Sequence, residues 1–199
     1  MTKTVDFIFD FASLNAYLAY APLKALCARR HATLNLIPCL LGGIFKATNN
    51  QAPMIAFANI KNKMQYEMLE VERFITRHAF SRYRMNPHFP VNTLTLMRGL
   101  IAAEMDGQKE PYAEAGLKAM WEDQENMADG PTILRVLNAA GLDGARYLAR
   151  AGEADVKQRL IDNTEAAVAR GAFGIPTFYV GKEMFFGKER LGQIDEMLG

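Results

Sequence analysis

Strand character in this chain is confined to its two ends. Near the start, Val5, Phe7, Phe9 and Phe11 recur at period two, the pattern of a half-buried strand. A second apolar run from Leu34 to Leu41, broken by Asn35 and Pro38 and closed by Gly42-Gly43, reads as another strand. After Gly171 the signal returns. Gly174–Val180 and Glu183–Phe186 flank Gly181-Lys182, a hairpin signature. From about residue 44 to 171 nothing reads as a strand.

The intervening sequence is helical in period. Ser13 opens a helix to about Arg30 carrying Tyr17, Leu18, Leu23, Leu26 and Cys27, and Pro22 is expected to kink or interrupt it near Tyr20. Further helices are expected over roughly Ile55–Ala79, from Asn92 to a stop at Gly107, and over Pro111–Asp123. Two more run from Asp129-Gly-Pro131 to Gly141, and over Glu153–Arg170. A short helix over Glu189–Leu198 follows the hairpin. No repeat, low-complexity tract or Pro/Ser linker interrupts this block, so it reads as a packed insertion.

Charge and cysteine usage narrow the function. The 199 residues carry 23 Lys+Arg against 22 Asp+Glu, which leaves no basic stripe for nucleic acid or an anionic membrane surface. No apolar run approaches the length of about 18 residues that a spanning helix needs. The first residues lack the apolar stretch of a signal peptide, so a cytoplasmic protein is expected. Cys27 and Cys39 form no Cys-x-x-Cys pair, and His31, His78 and His88 are too dispersed for a metal-ligand pattern. The two cysteines read as small buried hydrophobes.

The order β-α-β, helical block, β-β-α is the thioredoxin topology, an α/β fold with a large all-helical insertion. Residues 1–42 and 172–199 are assigned to the thioredoxin-like domain and 43–171 to the insertion. In this topology the start of the first helix, at Ser13, faces a proline just before the third strand, here Pro176, and a cis Ile175-Pro176 peptide is expected.

Phe9-Asp-Phe-Ala-Ser-Leu-Asn-Ala-Tyr-Leu-Ala19 resembles the Phe-Asp-x-x-Ser-Pro-x-Ser-Tyr-Leu start of kappa-class glutathione transferases and 2-hydroxychromene-2-carboxylate isomerases. Gly171-Ala-Phe-Gly-Ile-Pro-Thr-Phe178 and Glu183-Met-Phe-Phe-Gly-Lys-Glu-Arg-Leu191 are similar to two later motifs of that family. Pro38–Lys46, Asn50 and His88-Phe-Pro90 fit the same order. The resemblance implies glutathione as cofactor, a small aromatic substrate and a homodimer; the charge balance and the absence of a spanning apolar run argue against a nucleic-acid or membrane partner. It puts Ser13 beside the glutathione sulfur and Ile175, next to Pro176, against its cysteinyl backbone. Asn50 and Lys63 fall on positions used for the tripeptide, and Lys188 and Glu189 on those holding its γ-glutamyl end. Leu14, Ala16 and Glu189 depart from the family's Pro, Ser and Asp.

Other readings stand beside these. Ser13 alone reads as a helix N-cap, a role compatible with the first. Asn50 reads also as part of a polar loop, Lys63 and Glu189 as solvated helix charges, His88 as a loop or core histidine, and Trp121 as core. Ser13 nevertheless has a physical case. A thiol with pKa about 8.5 is only a few per cent ionised at pH 7. A helix N-terminus favours an anion by about 0.3–1 kcal/mol, up to about 2 when partly buried. A hydroxyl hydrogen bond to a charged acceptor adds about 1.5–3 kcal/mol. Together they lower a bound thiol's pKa by about one and a half to three units. Serine forms no disulfide, so the chemistry is addition by a borrowed thiolate. The leading expectation is a glutathione-dependent isomerase. A kappa-like transferase and a non-catalytic glutathione- or peptide-binding module are the alternatives.

Overall fold

The computed structural model describes residues 2–199. Strands β1 (Thr4–Phe9) and β2 (Thr33–Pro38) are parallel, joined by helix α1 (Leu14–Arg29). Eight helices follow: α2 (Leu41–Thr48), α3 (Pro53–Ala56), α4 (Lys63–Arg77), α5 (Leu94–Met105), α6 (Lys109–Trp121), α7 (Gly130–Ala139), α8 (Gly144–Arg150) and α9 (Ala154–Ala169). The chain then returns through β3 (Thr177–Val180) and β4 (Glu183–Phe186), a 3-10 turn at Lys188–Arg190, and α10 (Leu191–Leu198). The sheet order is β2-β1-β3-β4, with β3 antiparallel to both β1 and β4. This is the thioredoxin-like α/β topology with helices inserted between β2 and β3.

The period-two pattern does what it promises. Val5, Phe7 and Phe9 of β1 are fully buried. Phe7 lies with its ring centroid 4.9 Å from that of Phe178 on β3, a cross-strand aromatic pair of the kind that pins register. Phe11 continues the row beyond the strand, 5.0 Å from Phe9 between centroids. The Phe11 ring packs so tightly on α6 that a Cβ at Gly116 would meet its Cε1 at 2.5 Å. The Trp121 indole N–H, also on α6, donates to the Phe11 carbonyl at 3.0 Å. Trp121 is fully buried, so it is core.

Several boundaries differ from expectation. Helix α1 runs unbroken through Pro22, because eight buried side chains along it, Leu18 and Leu23 among them, outweigh the roughly 3 kcal/mol that an interior proline costs. Gly42 and Gly43 do not close a strand but lie inside α2. A Cβ at Gly43 would stand 3.1 Å from Thr164 Cγ2, so glycine here permits the close approach of α2 to α9. The single helix expected over Ile55–Ala79 is two, α3 and α4, divided before Asn62, which has φ 70°. Helix α8 is additional to the expected helices. It has seven residues, of which Gly144 and Tyr147 are buried, too few to show a period.

Candidate functional site

Ser13 caps α1 with φ −92° and ψ 110°, and its Oγ accepts the Ala16 N–H at 3.2 Å. The same hydroxyl donates to the Ile175 carbonyl at 2.9 Å. The residue is 7% exposed. One side chain therefore ties the start of α1 to the segment before β3, where the Ile175-Pro176 peptide is cis, as expected, and a second cis peptide lies at Phe89-Pro90. The Ile175 N–H donates to no protein group among the described residues.

A contiguous strip extends from this junction in both directions. On one side, Asn50 Nδ2 donates to the Phe173 carbonyl at 2.8 Å, so the residue just beyond α2 reaches the chain two positions before Ile175. On the other, the Gly187 N–H donates to the Pro176 carbonyl at 3.0 Å, which seats Lys188 and Glu189 next to Pro176. Gly187 has φ 96°, a backbone conformation suited to glycine. Lys188 is 3% exposed. Its ammonium pairs with the half-exposed Glu189 carboxylate and lies 5.4 Å from the Phe74 ring centroid on α4, a cation–π contact.

Helix α4 meets the strip at Phe74. Lys63, Glu67, Glu70 and Phe74 follow the spacing of one helical face. Lys63 pairs with Glu67 and has its ammonium 5.0 Å from the Phe57 ring centroid and 6.0 Å from that of Tyr66. Glu70 pairs with Arg73. The Arg73 guanidinium, with contributions from Tyr66 and Lys188, holds the Glu70 carboxyl below the usual carboxylate range. Lys63 lies about 16 Å along α4 from Phe74, at 1.5 Å per residue. Ser13, Ile175, Pro176, Lys188 and Glu189 thus form one connected strip, Asn50 joins it through Phe173, and Lys63 stands at the far end of α4.

Glu67, Glu70 and Arg73 join Lys63 on this helix, and their i,i+4 and i,i+3 spacing is the sequence signal that marks them. His88 is exposed in its loop, with its N–H donated to Asn86 Oδ1 at 2.8 Å. One turn beyond Ser13, the Tyr17 ring lies among Phe80, Tyr83 and Trp121, at centroid distances of 5.4, 6.2 and 6.2 Å. Its hydroxyl donates to Glu122 at 3.3 Å. A cleft of about 410 Å³ opens beside Tyr17, walled by Pro22, His78, Phe80, Arg82 and Glu122. Among the described residues no three acidic, histidine or cysteine side chains group as a metal site. No helix among them is long and apolar enough to cross a membrane.

The family profile described as a DsbA-like thioredoxin domain matches residues 4–199. Among curated proteins, glutathione S-transferase kappa 1 of Rattus norvegicus is 28% identical over 99% of this chain and 91% of its own length. The 2-hydroxychromene-2-carboxylate isomerase of Pseudomonas putida is 25% identical over 98% of this chain and 94% of its own. Among solved structures, a 2-hydroxychromene-2-carboxylate isomerase superposes with TM-score 0.85 at 23% identity, covering 98% of this chain and 94% of that one. A probable DsbA oxidoreductase from Streptomyces coelicolor gives 0.77 at 18% identity, over 98% of this chain and 88% of that one.

Proposed function

From the chain's membership of the DsbA-like thioredoxin family, we propose that it is a glutathione-dependent isomerase acting on a conjugated aromatic acid, in the manner of 2-hydroxychromene-2-carboxylate isomerases. The observation that carries the reading is serine, not cysteine, at the start of α1, bonded to the carbonyl before the cis proline. With Cys27 and Cys39 both buried and unpaired, the chain offers no dithiol for redox chemistry at that position. Residues 1–42 with 172–199 are taken as the α/β domain and 43–171 as the insertion that walls the acceptor side.

The residues fit a γ-glutamyl tripeptide. Ile175 has an N–H with no protein acceptor among the described residues and a C=O that accepts from the Ser13 hydroxyl, the two backbone groups that pairing with an added extended segment uses. A donor from the ligand backbone taking over the Ile175 carbonyl releases the Ser13 hydroxyl to turn toward the sulfur. Ser13 and the first amides of α1 then stabilise negative charge there. The half-exposed Glu189 offers its carboxylate to the γ-glutamyl ammonium, the buried Lys188 backs that carboxylate from beneath, and Asn50 and Lys63 complete the tripeptide's contacts. Bound glutathione supplies a thiolate that adds reversibly to the conjugated acid, permits rotation about the former double bond, and leaves unchanged.

The resemblance to the rat kappa-class transferase favours a second reading, in which the thiol remains on the product. Purified protein assayed with glutathione against a chromene carboxylate and against an aryl halide separates the two. Isomerisation with glutathione recovered in full supports the first reading, and stoichiometric loss of glutathione the second. Binding without either reaction would leave a glutathione-binding module.

A further inference from the structure

We propose that Asp10 is a positioning residue for this site, holding the Ser13 hydroxyl and the first amides of α1 in the geometry that stabilises a thiolate. The inference rests on the glutathione reading above. Asp10 follows β1, three residues before Ser13, and is 1% exposed. Its Oδ1 accepts the Ala12 N–H at 2.9 Å and the Thr93 hydroxyl at 2.7 Å. Its Oδ2 accepts the Leu41 N–H at 2.8 Å, and its main-chain carbonyl accepts the Ser13 N–H at 3.1 Å. One side chain therefore joins the loop that presents Ser13, the first residue of α2 and the N-cap residue of α5.

No cation pairs with Asp10 among the described residues; two helix starts and a loop amide surround it instead. Helix starts carry unpaired N–H groups and the positive end of the helix dipole. Burial raises the Asp10 pKa while the bonds from Ala12, Leu41 and Thr93 act the other way. The donor pattern explains why the residue is an acid. Each carboxyl oxygen receives a backbone N–H, and a backbone N–H cannot reverse its direction. An asparagine would turn its NH2 against one of them whichever way it sat. The loop is also held by Trp121 through the Phe11 carbonyl, so losing one Asp10 contact is expected to shift Ser13 without unravelling the loop.

The test compares Asp10→Asn and Thr93→Val with the wild type. Three readouts are taken: glutathione affinity by calorimetry, the bound thiolate by ultraviolet titration, and amide hydrogen exchange at Ala16, whose N–H is shared between the Ser13 hydroxyl at 3.2 Å and the Ser13 carbonyl at 3.0 Å. In Asp10→Asn the affinity is expected to stay within about threefold, Ala16 exchange to quicken by about tenfold, and the bound-thiol pKa to rise by roughly one unit. Thr93→Val should show smaller shifts of the same sign. Lower melting temperature with unchanged titration and unchanged Ala16 exchange would make Asp10 a structural tie only and overturn the proposal. If Asp10→Asn does not fold, Thr93→Val, which keeps both backbone bonds, is judged by the same criteria. A wild-type protein that binds no glutathione refutes the functional reading instead, and Ala16 exchange then decides alone whether Asp10 places Ser13.

Discussion

Ser13→Ala removes one oxygen with two structural duties and, under the proposed function, one chemical duty, and the three separate in magnitude. Losing the cap on Ala16 costs about 0.5–2 kcal/mol. Losing the bond to the Ile175 carbonyl costs a further ~0.5–1.5 kcal/mol. A loss of about 1–3.5 kcal/mol leaves a domain stabilised by roughly 5–15 kcal/mol folded, with a melting temperature lower by about 3–10 °C. The chemical loss is larger in effect. Without the hydroxyl contact, about 1.5–3 kcal/mol of thiolate stabilisation disappears and the bound thiol's pKa rises by about one to two units. Starting from a bound-thiol pKa of about 6.5, the thiolate fraction at pH 7 falls roughly three- to twenty-fivefold. Absorbance titration of the glutathione complex measures this directly, and turnover at pH 7 should fall in proportion and recover toward alkaline pH. A folded Ser13→Ala protein with full activity and an unmoved titration would reduce Ser13 to a helix cap and refute the borrowed-thiolate mechanism.

Glu189→Gln and Lys63→Met should each weaken glutathione binding by about 1–2 kcal/mol, five- to thirtyfold by calorimetry, less than for free charges because each must first leave its present partner; two unchanged affinities would move the tripeptide elsewhere. Burial pushes the Cys27 thiol up to about 11 and, with Asp10 adding to it, the Cys39 thiol up to about 12. Both therefore stay neutral at pH 8, where roughly one thiol in a thousand or fewer is ionised. Alkylation of the native protein should be at least about a hundredfold slower than of the denatured chain, and rapid native labelling of either would contradict their burial. Gly116→Ala drives a methyl into the Phe11 ring and should cost about 1–3 kcal/mol, whereas Gly192→Ala, with nothing within 4 Å of the added carbon, should not. Equal thermal melts of the two would show that Phe11 yields freely.

Much of the frame was legible because its signals are local. The Val5–Phe11 alternation, the Gly181-Lys182 turn and the stops at Gly107 and Gly141 each depend on a few adjacent residues, and each lies where expected. The misreadings came where tertiary packing overrides local preference. Pro22 sits in an unbroken helix because that helix is buried along its length. Gly42-Gly43 looked like a terminator because sequence does not reveal that α9 lies against them. At the candidate site, Ser13 and Ile175-Pro176 could be read from motif order, but the convergence of Ala12, Leu41 and Thr93 on Asp10 spans 83 positions from Asp10 to Thr93 and leaves no periodic trace.

The ion pairs along the strip bear on how quickly a ligand arrives. Lys63 with Glu67, Arg73 with Glu70, and Lys188 with Glu189 set three cations against three anions, so these six charges largely cancel one another at a distance. Under the proposed function, a tripeptide bearing two carboxylates and one ammonium is neither drawn in from a distance nor repelled by them. Its association rate should change little between about 0.01 and 0.15 M salt, a range over which the screening length shrinks from about 30 Å to about 8 Å. Discrimination among anionic peptides falls to the residence time: only a ligand able to replace each internal pair with contacts of its own will stay.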